Sequence, residues 1–188
     1  MTSSATAPNT HRSWLHSAGL WCVAVGVALR VAWFFAVADA PFFYAHVQDA
    51  ALYHELAQRI LNEGLPLSEP FSVAPLYGFF LAAIYLVAGV DPSAVYLAQI
   101  ALSAITIALT AGLGRRLFGG IGAWTGGLIA ALYPVGIIYD VRLLSVSLGT
   151  LLTMGAAMAA HRAWVSGRAR AWLVAGLVLG LGVLVRGN

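Results

Sequence analysis

Five residues stand out by type and place. Asp49 opens a polar, helix-forming stretch, Gln48 to Gly64, a short way beyond a long apolar run. A carboxylate at a membrane–water boundary can accept a proton from an incoming hydroxyl nucleophile. Asp is equally a common residue at helix starts, where free N–H groups and the helix dipole favour negative charge. Arg30 lies inside the apolar run Ala18 to Ala38. An ionisable side chain there is expensive and points to function, although a long arginine can also reach the headgroups from within a span. Asp140 and Arg142 flank the turn after Tyr133 to Tyr139, and Arg186 closes the final apolar stretch. Guanidinium groups suit bidentate binding of a phosphate, while a local Asp140–Arg142 pair is the simpler alternative.

Other polar residues carry less. His46 and His54 lie either side of Asp49, but their spacing matches no ligand pattern for a metal, and no Ser–His–Asp triad follows from spacing either. The sequence predicts no cofactor and leaves a divalent metal ion open. The lone Cys22 sits in an apolar run and behaves as a small hydrophobe.

The elements that position these residues follow from composition. Hydrophobic residues make up 61% of the 188 and charged residues 9%; soluble domains average roughly 45–50% and 25%. The fold class expected is all-α, a polytopic transmembrane helical bundle with interfacial helices in its first outer loop. The spans fall at about 18–38, 94–113, 121–138, 143–160 and 171–186. An outer loop, 39–93, carries surface helices at 49–63 and 75–90. In the first of these, Leu52, Tyr53, Leu56, Ala57 and Ile60 share one face. Polar residues 1–17 precede an apolar run long enough to span about 20 residues of bilayer, so the first span reads as uncleaved.

Charge decides between five crossings and six. With 75–90 on the surface, Arg12, Arg115, Arg116, Arg162, Arg168 and Arg170 all fall on the cytoplasmic side, as the positive-inside rule favours. All ten basic residues are arginine and the net charge is only +3. They are scattered, so no nucleic-acid footprint exists. Gly122 with Gly126, and Gly176 with Gly180, have the spacing of close helix packing.

The order of these features resembles the membrane-embedded glycosyltransferases of the C superfamily, particularly bacterial relatives of dolichyl-phosphate-mannose protein mannosyltransferase. The resemblance runs from about Arg30 to Asn188. It rests on Asp49-Ala-Ala-Leu-Tyr53 with Leu56-Ala57 and Gly64, Pro75-Leu-Tyr77, Arg115-Arg-Leu-Phe-Gly119, Leu132-Tyr-Pro134, Tyr139-Asp-Val-Arg-Leu-Leu144 and Val185-Arg-Gly-Asn188. It implies transfer of a sugar from a polyprenyl-phosphate donor to a protein, lipid or glycan acceptor outside a bacterial inner membrane, with inversion. By the same resemblance Asp49 is the catalytic base and Asp140 a second catalytic carboxylate; Arg30, Arg142 and Arg186 are expected, on the charge argument above, to hold the donor phosphate. Ala50 stands where many relatives carry a further acid. Family members are longer, so the resemblance also implies that 1–188 is the N-terminal part of one domain. A lipid or solute transporter, or flippase, and a non-catalytic membrane scaffold are the competing readings.

Overall fold

The computed structural model describes residues 10–41, 43–44, 48–65 and 70–185, with side chains from residue 18 onward. It is all-helical among them. The helices are α1 (Thr10–Val37), α2 (Asp49–Glu63), α3 (Pro75–Ala88), α4 (Pro92–Leu132), α5 (Pro134–Tyr139), α6 (Val146–Ser166) and α7 (Ala169–Val185). Proline opens α3, α4 and α5, where its missing N–H costs nothing and its fixed φ suits the first turn. The Asp91 side chain caps α4 by accepting from the Ser93 N–H at 2.9 Å.

Two helices are long and apolar enough to cross a membrane, Ala18–Val37 and Pro92–Leu132. A straight helix of 41 residues would reach about 60 Å, twice the roughly 30 Å hydrocarbon core. It does not run straight. Gly119 has φ 69° and ψ −152°, a conformation that side chains disfavour, and the chain folds back on itself there. The facing pairs recede in order from that point: Gly114 with Gly122, Thr110 with Gly126, Ala111 with Gly127, and Ile107 near Ala131 through Gly26 of α1. Gly167, at φ 62°, reverses the chain between α6 and α7 in the same way, with Gly155 facing Val178 and Gly149 facing Val185.

Small residues permit this closeness. A Cβ on Gly114 would lie 2.2 Å from the Gly122 carbonyl oxygen, and one on Gly127 would meet the Cys22 sulfur at 2.7 Å. Gly176 and Gly180 differ from their expected role: among the described residues a Cβ at either would meet nothing within 4 Å, and the close approach between α6 and α7 is instead made by Gly149 against Val185 and Gly155 against Val178. Gly114→Ala is therefore expected to lower stability by about 1–3 kcal/mol, and Gly176→Ala, a helix-interior site where the Cβ meets nothing, to raise it by about 0.5–1 kcal/mol. Melting temperatures of the two purified variants check this.

The stretch expected as one span, 121–138, is broken. Helix 120–132 stops at Tyr133, which is extended at φ −63° and ψ 106°, because a following proline disfavours the helical region. Pro134 then opens the six-residue α5. The apolar surface faces outward along most helices: Leu20 is 74% exposed, Ile121 79%, Trp164 79% and Leu173 68%. Water would not tolerate so much exposed hydrocarbon, and with the apolar helices it marks a membrane protein.

Charge separates the two ends of the packed helices. Gly19 of α1 lines a common hollow with Arg115 and Ala123, and Met158 of α6 touches Gly112. The start of α1, the Gly119 reversal and the Gly167 reversal thus share one end, with Arg115, Arg116, Arg162, Arg168 and Arg170. The opposite end holds Arg30, Asp140, Arg142 and the α2–α3 pair. There Tyr53, Ala57, Tyr77, Leu81 and Tyr85 pack on Val37, Phe43, Tyr96, Val141 and Leu143.

Candidate functional site

Pro134 determines what Arg30 must do. It has no N–H to give the carbonyl four residues back, and the helix 120–132 ends with its last carbonyls unpaired. Arg30 fills that gap. Its Nη1 donates to the carbonyls of Ala131 and Gly26, both at 3.0 Å, and its Nη2 reaches the Ala130 carbonyl at 3.5 Å. A cation at a helix C-terminus also meets the negative end of the dipole.

The remaining face of the guanidinium meets Asp140. Arg30 Nε donates to Asp140 Oδ2 at 2.6 Å, with both side chains buried. Asp140 Oδ1 accepts from the Ser103 hydroxyl at 2.8 Å and from the Ser147 hydroxyl. Burial pushes the Asp140 carboxyl up, and the hydroxyls of Ser147 and Ser103 and the Arg30 guanidinium pull it back. A buried ion pair survives only when its other hydrogen-bonding capacity is met, which these hydroxyls and carbonyls achieve. A cavity of about 290 Å³ adjoins the pair, lined by Ser103, Thr106, Thr110 and Thr150 among aliphatic side chains.

The predicted site residues are thus divided. Arg30 and Asp140, read as a phosphate ligand and a second catalytic carboxylate, are each other's partner across 110 residues of chain. Arg30 does not snorkel, being 3% exposed, and Asp140 pairs with it rather than with Arg142. Arg142 is half-buried in the turn beside them, and its carbonyl accepts from the Gln99 amide at 2.8 Å. Asp49 is exposed in the first turn of α2 and makes no ion pair among the described residues. Gln48 before it holds φ 54° and ψ −127° and supplies no side-chain cap. Such strain in a non-glycine residue is uncommon and clusters at functional sites. Arg186 and His46 lie outside the described residues. Among those described, no three His, Cys, Asp or Glu side chains gather as a metal site.

Contacts lead from the helix of Asp49 to the buried pair. Tyr53, one turn after Asp49, sets its ring edge-on against Tyr77 of α3, with centroids 4.8 Å apart. The Tyr77 hydroxyl donates to Gln99 Oε1 at 2.6 Å, and Gln99 holds the turn that carries Asp140 and Arg142. Sequence reading missed Gln99, Ser103 and Ser147. The signal was present: Gln99, Ser103, Thr106 and Thr110 recur at helical spacing, a polar stripe along an otherwise apolar helix.

His54 supports the same seat from the other side. Its Nδ1 lies 2.8 Å from the Tyr85 hydroxyl and its Nε2 3.2 Å from the Gln58 amide. Burial lowers its pKa from the ordinary 6.5, so docking favours the neutral ring. A His pKa depressed in the folded state gives stability that is complete above the unfolded value and lost as pH falls below it. Amide protection of 49–63 should therefore decline as pH falls below about 6.5, and His54→Gln should flatten that decline.

Residues 72–188 match the family described as dolichyl-phosphate-mannose-protein mannosyltransferase. The matched stretch includes Tyr77, Gln99, Ser103, Asp140, Arg142 and Ser147, and begins after Arg30 and Asp49. No curated protein and no solved structure matches the chain. With α3 through α7 and the Asp140–Arg142 turn inside the matched region, the chain belongs to the dolichyl-phosphate-mannose-protein mannosyltransferase family and is a membrane glycosyltransferase of the mannosyltransferase type.

Proposed function

We propose that the protein transfers a sugar from a polyprenyl-phosphate donor to an acceptor on the face opposite its arginine-rich end, with Asp49 as general base. Five crossings are proposed: α1, the first arm of α4, its second arm together with the α5 that continues it past Tyr133, α6 and α7, with α2 and α3 on the outer surface. At 14 residues, α3 is about 21 Å long, short of the roughly 30 Å hydrocarbon core, and no second helix among the described residues extends it as α5 extends 120–132. The observation that carries the reading is the docking of α2, through Tyr53, Tyr77 and Gln99, onto the turn that presents Arg142.

In this reading the Asp49 carboxylate takes the proton of an acceptor hydroxyl as its oxygen attacks the anomeric carbon. The bond from that carbon to the phosphate oxygen breaks, the configuration inverts, and polyprenyl phosphate leaves with the electron pair. Fixed cations stabilise the charge growing on the leaving phosphate. Arg142 takes that role, with Arg186 assigned to it from sequence alone. Arg30 and Asp140 act beneath, holding the end of helix 120–132 and the base of the turn. The setting is a bacterial cell membrane, and the acceptor is a protein, lipid or glycan.

Full-length protein reconstituted in vesicles tests this with labelled polyprenyl-phosphate-mannose and GDP-mannose as alternative donors. Label is expected in an acceptor only from the lipid-linked donor. Equal transfer from the nucleotide sugar, or movement of the lipid across the bilayer without any transfer, would sink the reading.

A further inference from the structure

Gln99 is fully buried in the middle of an apolar helix, and the chemistry above makes no use of its side chain as a reacting group. Its Nε2 donates to the Asp140 carbonyl at 2.9 Å and to the Arg142 carbonyl at 2.8 Å. Its Oε1 accepts from the Tyr77 hydroxyl at 2.6 Å. Two carbonyls can only accept, so the amide nitrogen must face them and the orientation of the group is forced. Three elements therefore meet on one amide: α4, the turn after α5, and α3.

The far end of that connection is tight. Tyr77 is 0% exposed and meets Tyr53 of α2 edge-on, at 84° between rings. Gly78 beside it lies so close to α2 that a Cβ would fall 2.5 Å from Leu56 Cδ2. The near end is a short turn whose own backbone bonds are few, Asp140 N–H to the Gly136 carbonyl and Arg142 N–H to the Tyr139 carbonyl among them. Without Gln99 the buried Asp140 carbonyl would lose its donor, and the Arg142 carbonyl, which also accepts from the Leu144 N–H at 2.8 Å, would lose one of two; an unsatisfied buried acceptor is costly.

We propose that Gln99 is a positioning residue that couples the seating of the α2–α3 pair to the orientation of Arg142. It rests on the reading of Arg142 as a lipid-phosphate partner. A glutamine that merely filled space would be replaceable by methionine of similar volume, at a cost in stability alone. One that positions must change how the turn behaves and what Arg142 can hold.

The experiment uses full-length protein, undecaprenyl phosphate as the probe, and amide hydrogen exchange. Gln99→Met is expected to weaken probe binding about tenfold, within the range of measured couplings between contacting residues. It should speed exchange in 49–63 and 140–144 and leave 146–166 unchanged. In an Arg142→Ala background Gln99→Met should weaken binding no further. Additive effects of the two substitutions, exchange rising evenly along the chain, or a wild-type protein that does not bind the probe would each overturn the proposal. Should Gln99→Met fail to fold, Tyr77→Phe carries the test: it must loosen 49–63 while 140–144 stays protected, and unchanged exchange in 49–63 overturns the coupling. Glycosyl transfer is not read here, so a wild-type protein that shows the coupling yet transfers no sugar defeats the proposed function and leaves the coupling intact.

Discussion

Replacing Asp140 with alanine is expected to cost the folded protein about 3 kcal/mol, at the lower end of the 3–5 kcal/mol seen when one partner of a buried ion pair is removed. The substitution leaves Arg30 buried without a counter-charge and strips Ser103 and Ser147 of their shared acceptor. The carbonyls of Gly26, Ala130 and Ala131 still hold the guanidinium, which is why the upper end is not expected. Thermal unfolding in detergent should show a drop of roughly 6–12 °C. Removing both charges, as Arg30→Met with Asp140→Leu, should recover no more than half of it: no uncompensated charge is then buried, but the Ala130 and Ala131 carbonyls lose the donor that Arg30 supplies. Asp140→Ala melting like wild type would contradict this role of the pair.

Asp49→Asn is expected to do the reverse. Its side chain is exposed and outside the packed face of α2, where Tyr53, Leu56 and Ala57 are buried, so the change in stability should be no more than about 1 kcal/mol, the dipole's contribution at a helix start. Loss of a general base typically costs 10²–10⁴ in rate, and roughly that loss of glycosyl transfer is expected. An initial-rate assay at saturating donor, with folded protein measured in parallel, separates the two substitutions. Asp140→Ala lowers the amount of folded protein, and Asp49→Asn lowers the rate per folded molecule.

These two carboxylates also mark how far the sequence could be read. Asp49 and the buried face of α2 were legible because helical spacing is local: Tyr53, Leu56 and Ala57 recur within two turns. Arg30 was legible as an anomaly, since a charge inside an apolar run demands a partner. Which partner was not, because the answer lies 110 residues away and depends on a reversal at Gly119 that apolar patterning does not reveal. The break at Pro134 was available from chemistry, as proline cannot continue a helix interior, yet the apolar stretch from Ile121 to Ile138 masked it. Gly176 and Gly180 have the spacing of packing residues, yet among the described residues no neighbour faces them. Spacing gives a helix face, and only the path of the chain says what that face meets.

The claim that matters most is that Asp49 removes the acceptor's proton at the face opposite the arginine-rich end. It is tested most directly by release of polyprenyl phosphate from polyprenyl-phosphate-mannose in sealed vesicles holding full-length protein in a known orientation. A peptide or glycan acceptor is supplied on one side at a time. Release is expected only when the acceptor is on the side away from Arg115 and Arg116, abolished to within about one part in a hundred by Asp49→Asn. Release with the acceptor on the arginine-rich side, or equal release by Asp49→Asn at matched folded amounts, would contradict it.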